Sequence, residues 1–349
     1  MRGAVFHGPY DVRLRTDLPE PKVTGPRDAV VRVSRTAICG TDLHAYRGEL
    51  PGFGVGTVLG HEFVGTVVAA GDEVPYRPGQ RVVASDVVAC GRCPICARGW
   101  HYQCPEVTLF GYSTVVGESL DGGQAEYVRV PYADVVLGAC PDGVTDEQAL
   151  FSGDVLATGY VAACRAEITP GDTVAVVGGG TVGILAGLCA RVVGAAAVVV
   201  ADPSPARRAA VAECGLVPAS PDRLAEVVAE VSAGRGARSV IEAVGTDAAL
   251  TLAVATAAAR GTVVAVGAHH SAAAPLDAGA AFARELTLRF AVGDPIAVRD
   301  DVLALVRAGR VDPTVVISHR LPLAEVTRAY ELFDRREATK VVLVPDDAG

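Results

Sequence analysis

Four cysteines fall close together in the stretch CGRCPICARGWHYQC, at the spacing C-x2-C-x2-C-x7-C. They are Cys90, Cys93, Cys96 and Cys104. Such a group can form disulfides, bind a metal or supply reactive thiols. Four thiolates at this spacing can close a tetrahedron around Zn²⁺ and leave no open position, which is typical of a structural zinc site. Gly91 and Pro94 favour the tight loops that this wrapping needs.

Composition helps to choose between these chemistries. The chain has 349 residues, 50% of them hydrophobic, and a formal net charge of −9. An acidic chain disfavours nucleic acid and anionic membranes as partners, and with them a zinc-binding nucleic-acid module. No secretory signal follows Met1, and no apolar run approaches the roughly 20 residues of a membrane span. We therefore expect a cytoplasmic, reduced protein in which the cluster binds structural zinc, with unligated thiols as the alternative.

A second pattern lies in the middle of the chain, where Gly178, Gly180 and Gly183 form the motif G-x-G-x-x-G. A buried strand is predicted before it, at 173–177, and an apolar helix after it. In such a motif the glycines allow a tight turn, the approach of a pyrophosphate and close helix packing, while the helix N-terminus faces the phosphates. The pattern predicts a dinucleotide-binding turn.

Asp202 follows Gly183 by 19 positions, at the end of the next predicted strand. A carboxylate there accepts hydrogen bonds from the adenosine ribose hydroxyls and repels a 2′-phosphate, so it favours NAD over NADP. Arg207 and Arg208 lie close by and leave NADP open, since arginine can accommodate the 2′-phosphate; alternatively they begin a solvated helix.

The order of predicted elements indicates two domains. Strands alternate with alanine-rich helices over residues 155–293, which predicts an α/β, doubly wound parallel sheet. The first 150 residues contain short strands and many turns, which predicts a compact, mostly β, barrel-like domain. A helix and a final strand end the chain.

Three further motifs complete a recognisable series: CGTDLH, LGHEFVG and SGDVLATGY. Together with the cysteine cluster and the glycine motif, in this order, the chain resembles the zinc-dependent medium-chain alcohol dehydrogenases over essentially its whole length. The resemblance implies a Rossmann domain at 155–293 and a GroES-like catalytic domain at 1–154 and 294–349, with a structural-zinc lobe at about 86–112.

The resemblance also implies a catalytic zinc site with Cys39, His61 and Asp154 as ligands, the branch of the family in which aspartate is the third ligand. Three protein ligands leave a fourth position for water or substrate. Glu62 would coordinate zinc transiently, and Asp42 would orient His61. Taken singly, the three ligands could equally be a buried thiol, a core histidine and a helix N-cap. Together with the zinc ion expected in the cysteine lobe, this site predicts two Zn²⁺ per chain.

The reaction that the resemblance implies is hydride transfer between an alcohol and NAD. Thr41 would accept the hydroxyl proton and pass it through the nicotinamide ribose toward His44 and solvent. The implied cofactor contacts are Thr158, Gly178, Gly180, Thr181, Val182, Gly183, Asp202, Arg207 and Lys340. The remaining histidines have no assigned chemistry: His7, His101, His269, His270 and His319.

Substrate and assembly are less well determined. Ser85 and Asp86 lie where relatives carry large apolar residues of the alcohol pocket, so a polyol, sugar or cyclitol-type secondary alcohol is favoured. Asp86 could instead pair with an arginine or face solvent. A formaldehyde dehydrogenase or dismutase-like enzyme with tightly held NAD is the alternative. The zinc-free reductases of the same superfamily are disfavoured because they lack these zinc ligands. A non-catalytic metal- or nucleotide-binding protein is disfavoured because the chain keeps Thr41 and His44, the residues implied to move the proton. We expect a homodimer or homotetramer.

Overall fold

The computed structural model describes residues 1–269 and 271–345, so His270 lies outside the described residues. Two compact units are present. The first comprises Met1–Asp154, Asp294–Ala308 and the described part of Ile317–Gly349; the second comprises Val155–Gly293 and Gly309–Val316. Residues 309–316 were expected in the catalytic domain but group with the second unit, because their 3₁₀ turn packs against a helix of that unit.

The bounds of the elements are as follows. The strands are β1 (Gly3–Gly8), β2 (Asp11–Arg15), β3 (Ala29–Ile38), β4 (Glu62–Ala70), β5 (Arg81–Ala84), β6 (Val87–Val88), β7 (Thr108–Leu109), β8 (Tyr127–Val130), β9 (Leu137–Ala139), β10 (Thr173–Val177), β11 (Ala197–Ala201), β12 (Val217–Ala219), β13 (Ala237–Glu242), β14 (Ala257–Ala265), β15 (Thr287–Phe290), β16 (His319–Pro322) and β17 (Val341–Val344). The helices are α1 (Gly40–Tyr46), α2 (Ala133–Val136), α3 (Asp146–Leu150), α4 (Val155–Arg165), α5 (Thr181–Val193), α6 (Pro205–Glu213), α7 (Leu224–Val231), α8 (Asp247–Thr256), α9 (Ala278–Ala283), α10 (Pro295–Arg307) and α11 (Val326–Asp334).

The first unit is built on a seven-stranded sheet in the order β16-β17-β3-β4-β5-β9, with β8 also paired to β3. Its long strands β3 and β4 are antiparallel and rich in valine, whose branched side chains pack well on a pleated surface. Phe63, Val67, Val82 and Val128 belong to the buried core beside them. The pairing of Ala37 with Glu62 brings the end of β3 to the start of β4.

The second unit contains a six-stranded sheet in the order β12-β11-β10-β13-β14-β15. Every pairing in it is parallel. The central strand β10 (TVAVV) is buried at every position, as expected for a strand covered by helices on both faces. The predicted α/β fold, with a GroES-like and a Rossmann-type part, is confirmed.

Within residues 1–269 and 271–345, none of the helices is both long and apolar enough to span a membrane.

Candidate active site and metal centres

The four clustered cysteines converge in the first unit. Their sulfur atoms all lie within 4.8 Å of one another, and no disulfide joins any of the nine cysteines, all of which are in the described part of the chain. Cys90 Sγ and Cys104 Sγ are 3.6 Å apart. Tetrahedral zinc with ordinary bond lengths places neighbouring ligand atoms roughly 3.3–3.8 Å apart. The cluster therefore has the dimensions of a closed zinc site.

Local backbone geometry prepares these thiols for a cation. Two short 3₁₀ turns, Cys96–Arg98 and His101–Gln103, bend the lobe, and the N–H of Cys96 points at Cys93 Sγ at 3.4 Å. That hydrogen bond lowers the pKa of Cys93 to about 7, whereas burial raises the pKa of Cys96 to about 12. Only a bound cation would stabilise all four as thiolates, so the donor set fits zinc.

A second convergence in the first unit contains Cys39, His61, Glu62 and Asp154, whose ligand atoms also lie within 4.8 Å of one another. Cys39 is the N-cap of α1, directly after β3. His61 and Glu62 stand at the start of β4, and Asp154 follows the 3₁₀ turn Phe151–Gly153. The β3–β4 pairing thus brings together residues that the sequence separates.

The spacing of three of these side chains matches a metal site. Asp154 Oδ2 lies 3.5 Å from Cys39 Sγ and 3.5 Å from His61 Nε2. Both distances fall in the range for neighbouring ligands on a tetrahedral zinc. Burial raises the pKa of Cys39 to about 11, and the Asp154 charge adds to this effect, so a nearby dication would be needed to hold the thiolate form that ligates a metal. The residues fit the zinc ion that the resemblance implies.

Asp42 supports this arrangement from behind. Its Oδ2 accepts the N–H of Cys39 at 2.9 Å and the amide of Gln124 at 3.2 Å. Its Oδ1 lies 3.3 Å from His61 Nδ1, which leaves Nε2 directed toward Asp154. The Tyr330 hydroxyl donates to Gln124 Oε1 at 2.9 Å and extends the network. Asp42 is therefore placed beside the His61 ring, as carboxylates beside metal-binding histidines are, but the contact is one of distance only, since neither Asp42 Oδ1 nor His61 Nδ1 has a hydrogen-bond partner.

Glu62 makes a contact that sequence reasoning missed. Its Oε1 accepts a hydrogen bond from the ammonium of Lys340, and both side chains are almost completely buried. Its Oε2 is buried without a hydrogen-bond partner. Burial raises the pKa of Glu62 to about 7, although Lys340 opposes the shift. The role of Lys340 as a cofactor contact remains a prediction, and the structure adds Glu62 as its partner.

Helix α1 carries both residues expected to move the substrate proton. Thr41 is half-buried in its first turn, and His44 follows one turn later on the same helix. His44 Nδ1 lies 2.6 Å from Glu49 Oε2, and 24% of its side chain is exposed. That exposure suits a group that exchanges protons with solvent.

The predicted dinucleotide turn is present in the second unit. Gly178 closes β10 with a φ of +107°, and α5 begins at Thr181 with Gly180 as N-cap, so Thr181 and Val182 form its first turn. A Cβ at Gly183 would lie 1.8 Å from the carbonyl oxygen of Gly178, so only glycine allows this approach of helix to turn. Gly178 and Gly183 thus make the tight turn and the close helix packing that the motif predicts, and the approach of a pyrophosphate at Gly180 stays a prediction.

Asp202 stands directly after β11 and is bound to the turn itself. Its carboxylate accepts N–H groups of Gly179 at 2.9 Å and Ser204 at 2.8 Å. Arg207 Nη1 lies 3.5 Å from its Oδ2, and Arg208 donates to its backbone carbonyl. Asp202 therefore shapes the turn in addition to the ribose contact that the sequence predicts.

Thr158 lies in α4 of the same unit. A Cβ at Gly293 would lie 2.1 Å from Thr158 Oγ1, so Thr158 packs directly against the chain that follows β15. The expected nicotinamide-side residue is thus fixed at the carboxyl end of the sheet.

Comparison with known proteins agrees with this geometry. The family model described as alcohol dehydrogenase GroES-like domain matches residues 25–142, and the model described as zinc-binding dehydrogenase matches residues 181–308. The chain is 39% identical over 349 residues to the "Probable zinc-binding alcohol dehydrogenase" of Mycobacterium tuberculosis, which covers 99% of this chain and 89% of that protein. The chain belongs to the zinc-dependent medium-chain alcohol dehydrogenase family.

Two further relatives of this dehydrogenase are informative. The structure of alcohol dehydrogenase TADH from Thermus sp. ATN1 superposes with a TM-score of 0.94 at 39% identity, and the match covers 99% of both chains. The L-galactonate-5-dehydrogenase of Escherichia coli strain K12 is 34% identical over 334 residues, covering 93% of this chain and 94% of that protein. As a member of this family, the protein is an oxidoreductase that acts on alcohols with zinc and NAD(P).

Asp86 of the dehydrogenase lies beside the Cys39–His61–Asp154 group. Its N–H donates to the carbonyl of Gly153 at 2.9 Å, one residue before Asp154. Its Oδ1 accepts the N–H of Val87 at 2.7 Å, and its Oδ2 accepts the hydroxyl of Tyr102. Burial raises the pKa of Asp86 well above its usual range, and the Asp154 charge adds to the effect. Neither alternative expected from the sequence applies: Asp86 is buried, and its described hydrogen bonds come from neutral donors.

The structure shows two more pairs that sequence reasoning missed. His101 Nδ1 lies 2.9 Å from Asp294 Oδ1, and Asp294 caps α10, so this pair joins the cysteine lobe to that helix. His269 Nε2 lies 3.0 Å from Glu242 Oε2 at the end of β13.

Proposed function

We propose that this dehydrogenase transfers a hydride between a polyhydroxylated secondary alcohol, such as a polyol, sugar or cyclitol, and NAD. The observation that carries the proposal is the triangle of Cys39, His61 and Asp154, with 3.5 Å edges around Asp154 Oδ2. Three protein ligands rather than four distinguish a catalytic zinc site from the closed cysteine site.

A zinc ion held there would polarise the oxygen of a bound alcohol or carbonyl group. Asp42 lies beside the His61 ring, and Lys340 holds one oxygen of Glu62 so that the other faces the ligand group. Thr41 would take up the alcohol proton while passing its own hydroxyl proton on toward His44, which is partly exposed to solvent and whose Nδ1 lies 2.6 Å from Glu49 Oε2.

NAD is the proposed acceptor because of Asp202. Its carboxylate is fixed by two N–H groups at the end of β11, where it meets the adenosine ribose in this fold. A 2′-phosphate at that point would approach a negative charge at short range. Arg207 is the group through which NADP would still bind, but its Nη1 already lies beside Asp202.

The substrate class follows from Asp86. A buried carboxyl group with only neutral donors is costly unless it serves a ligand. A carboxylate offers about four acceptor sites, so those of Asp86 are not exhausted by Val87, Tyr102 and the Ser85 hydroxyl, which lies 3.5 Å from Oδ1. A second hydroxyl on the substrate would use this capacity. Ser85, fully buried beside it, adds a further polar group.

We also propose that the dehydrogenase forms a homo-oligomer. The sheet of the second unit ends at β15, so its outer side offers backbone groups for pairing. Phe282, just before this strand, is 87% exposed, which is unusual for a large apolar side chain. A dimer or tetramer in light scattering supports the proposal, and a monomer at micromolar concentration contradicts it.

The function is tested by initial rates with matched substrates and both cofactors. Propane-1,2-diol and propan-2-ol differ by one hydroxyl, and each is offered with NAD⁺ and with NADP⁺. We expect the diol with NAD⁺ to have a kcat/KM about 10-fold or more above that of the mono-alcohol. Equal rates for the diol and the mono-alcohol would contradict the polyol assignment. A preference for NADP⁺ over NAD⁺ would contradict the cofactor assignment. Bound NAD after purification, with aldehyde disproportionation, would favour the dismutase-like alternative.

A further inference from the structure

The pair of Glu242 and His269 lies outside every role assigned so far. Glu242 is the last residue of β13 and is fully buried. In the sheet it stands in register with Val177 on one side and Ala265 on the other. It therefore occupies the last row of the sheet, directly before the turns that leave its carboxyl edge.

Three of those turns pack against one another with almost no free space. A Cβ at Gly178 would lie 2.6 Å from a methyl of Val244. A Cβ at Gly245 would lie 2.3 Å from the carbonyl oxygen of Ala268, and one at Gly267 would lie 2.0 Å from the nitrogen of Gly245. The turns after β10, β13 and β14 thus form one continuous surface, and His269 is at its end.

The strand order locates this surface relative to a dinucleotide. From β10, the sheet continues through β11 and β12 on one side and through β13, β14 and β15 on the other. In open parallel sheets the ligand binds in the crevice at this reversal. Asp202, the proposed adenosine-ribose acceptor, follows β11. The nicotinamide half then falls on the side of β13 and β14, where Glu242 and His269 lie.

The chemistry of the pair suits a polar ligand group. Glu242 Oε1 accepts the N–H groups of Val244 at 2.7 Å and Gly245 at 2.8 Å. Its Oε2 lies 3.0 Å from His269 Nε2, so that nitrogen carries the proton and Nδ1 is directed elsewhere. The carboxylate thereby fixes the tautomer and the angle of the ring. A carboxylate that accepts one ring N–H fixes a metal-binding imidazole in the same way and leaves its other nitrogen for the ligand.

The surroundings of the ring are apolar yet open. Phe290 contacts the His269 ring edge-on with centroids 5.9 Å apart, and 57% of Phe290 is exposed. Val244 and Val292, at the same edge of the sheet, are 48% and 51% exposed. Exposed apolar side chains around one oriented polar group are typical of a site for a flat ring with a polar substituent.

We propose that His269, held by Glu242, binds the carboxamide of the nicotinamide ring of the dinucleotide. The carboxamide offers an N–H donor to a neutral Nδ1 and a carbonyl acceptor to a protonated one, so the contact persists in either state of the ring. The inference rests on the proposed function insofar as it requires a dinucleotide. It adds a cofactor-binding residue and specifies which half of the cofactor that residue recognises.

The test is calorimetric titration of the zinc-loaded, full-length enzyme with NAD⁺ and with ADP-ribose, which lacks the nicotinamide. We expect His269→Ala to weaken NAD⁺ binding by about 5- to 30-fold, the size of one lost hydrogen bond. The same variant should leave ADP-ribose binding unchanged. His269→Gln, whose amide can both donate and accept, should retain most of the affinity.

Two controls make the outcome specific. His319→Ala removes a histidine of the first unit and should change neither ligand, whereas Asp202→Ala should weaken both. Equal losses for NAD⁺ and ADP-ribose in His269→Ala, or no loss, would overturn the inference while leaving dinucleotide binding intact. Failure of the wild-type enzyme to bind either ligand would overturn the proposed function together with the inference.

Discussion

Lys340 and Glu62 form an ion pair inside the first unit, with side chains that are 1% and 0% exposed. Glu62 directly follows the proposed ligand His61 in the sequence. Burial lowers the pKa of Lys340, but Glu62 more than offsets this and leaves it raised. Each charge opposes the effect of burial on the other, although burial still leaves the pKa of Glu62 raised to about 7. Positions 62 and 340 are far apart in the sequence and meet because β17 pairs with β3 and β3 with β4.

The first prediction concerns the stability that this pair provides. Lys340→Met leaves a buried carboxylate without its cation and should cost about 3–5 kcal/mol in the free energy of unfolding. Urea unfolding of the zinc-loaded enzyme measures this loss. Adding Glu62→Gln should restore a large part of it, since neither charge then remains. The exposed pair Arg223–Glu226 is the matched control, and Arg223→Met should cost about 1 kcal/mol or less. Additive losses in the double variant would contradict the pairing.

The second prediction separates the structural zinc from other thiols. Cys93→Ser removes one ligand of the closed cluster, so the zinc content should fall by one per chain and the Tm by about 10 °C or more, because structural zinc contributes directly to folding. Cys214→Ser, outside both clusters, should change neither quantity. Full zinc content in Cys93→Ser would rule out the four-thiolate site.

The third prediction tests how Asp202 selects the cofactor. Asp202→Asn keeps an oxygen that can accept from Gly179 but removes the charge that opposes a 2′-phosphate. The ratio of kcat/KM for NADP⁺ to that for NAD⁺ should rise about 10-fold or more, with little change for NAD⁺ itself. Arg207→Ala in the same background should remove part of the gain. A wild-type enzyme that already prefers NADP⁺ would refute the assignment.

The fourth prediction concerns recognition of the substrate through Asp86. Tyr102→Phe removes the hydroxyl that positions the carboxyl group and should lower kcat/KM for propane-1,2-diol about 10-fold, with less effect on propan-2-ol. Tyr132 offers a matched control, since its hydroxyl also donates to a carboxylate, Glu106, and its ring packs on the same cysteine lobe. Equal effects of Tyr102→Phe and Tyr132→Phe would show that the loss reflects the lobe and not the pocket.

Much of the fold was predictable because the signals are local. The glycine turn, the strand before it and Asp202 after the next strand fall within about one βαβ unit, whose spacing is set by strand and helix lengths. The cysteine lobe is likewise contained in one short segment. A site whose residues lie within one short segment can therefore be predicted from the spacing of those residues.

The pairs that went unpredicted all depend on register and packing between distant segments. Lys340 reaches Glu62 across two strand pairings, Tyr102 reaches Asp86 from a 3₁₀ turn, and His269 reaches Glu242 from the next parallel strand. Nothing in the local pattern states which face such residues take. The grouping of residues 309–316 with the second unit depends on the same kind of interaction, because their packing on α5 is a tertiary contact.

The central claim is that Cys39, His61 and Asp154 bind a second, catalytic zinc. Elemental analysis of zinc per chain, in the wild-type enzyme and in Asp154→Ala, tests it most directly. We predict two zinc ions in the wild type and one in Asp154→Ala, with the fold retained and turnover almost abolished. Loss of a helix N-cap alone would cost only about 0.5–2 kcal/mol and leave both ions in place. Two zinc ions and normal turnover in Asp154→Ala would contradict the account.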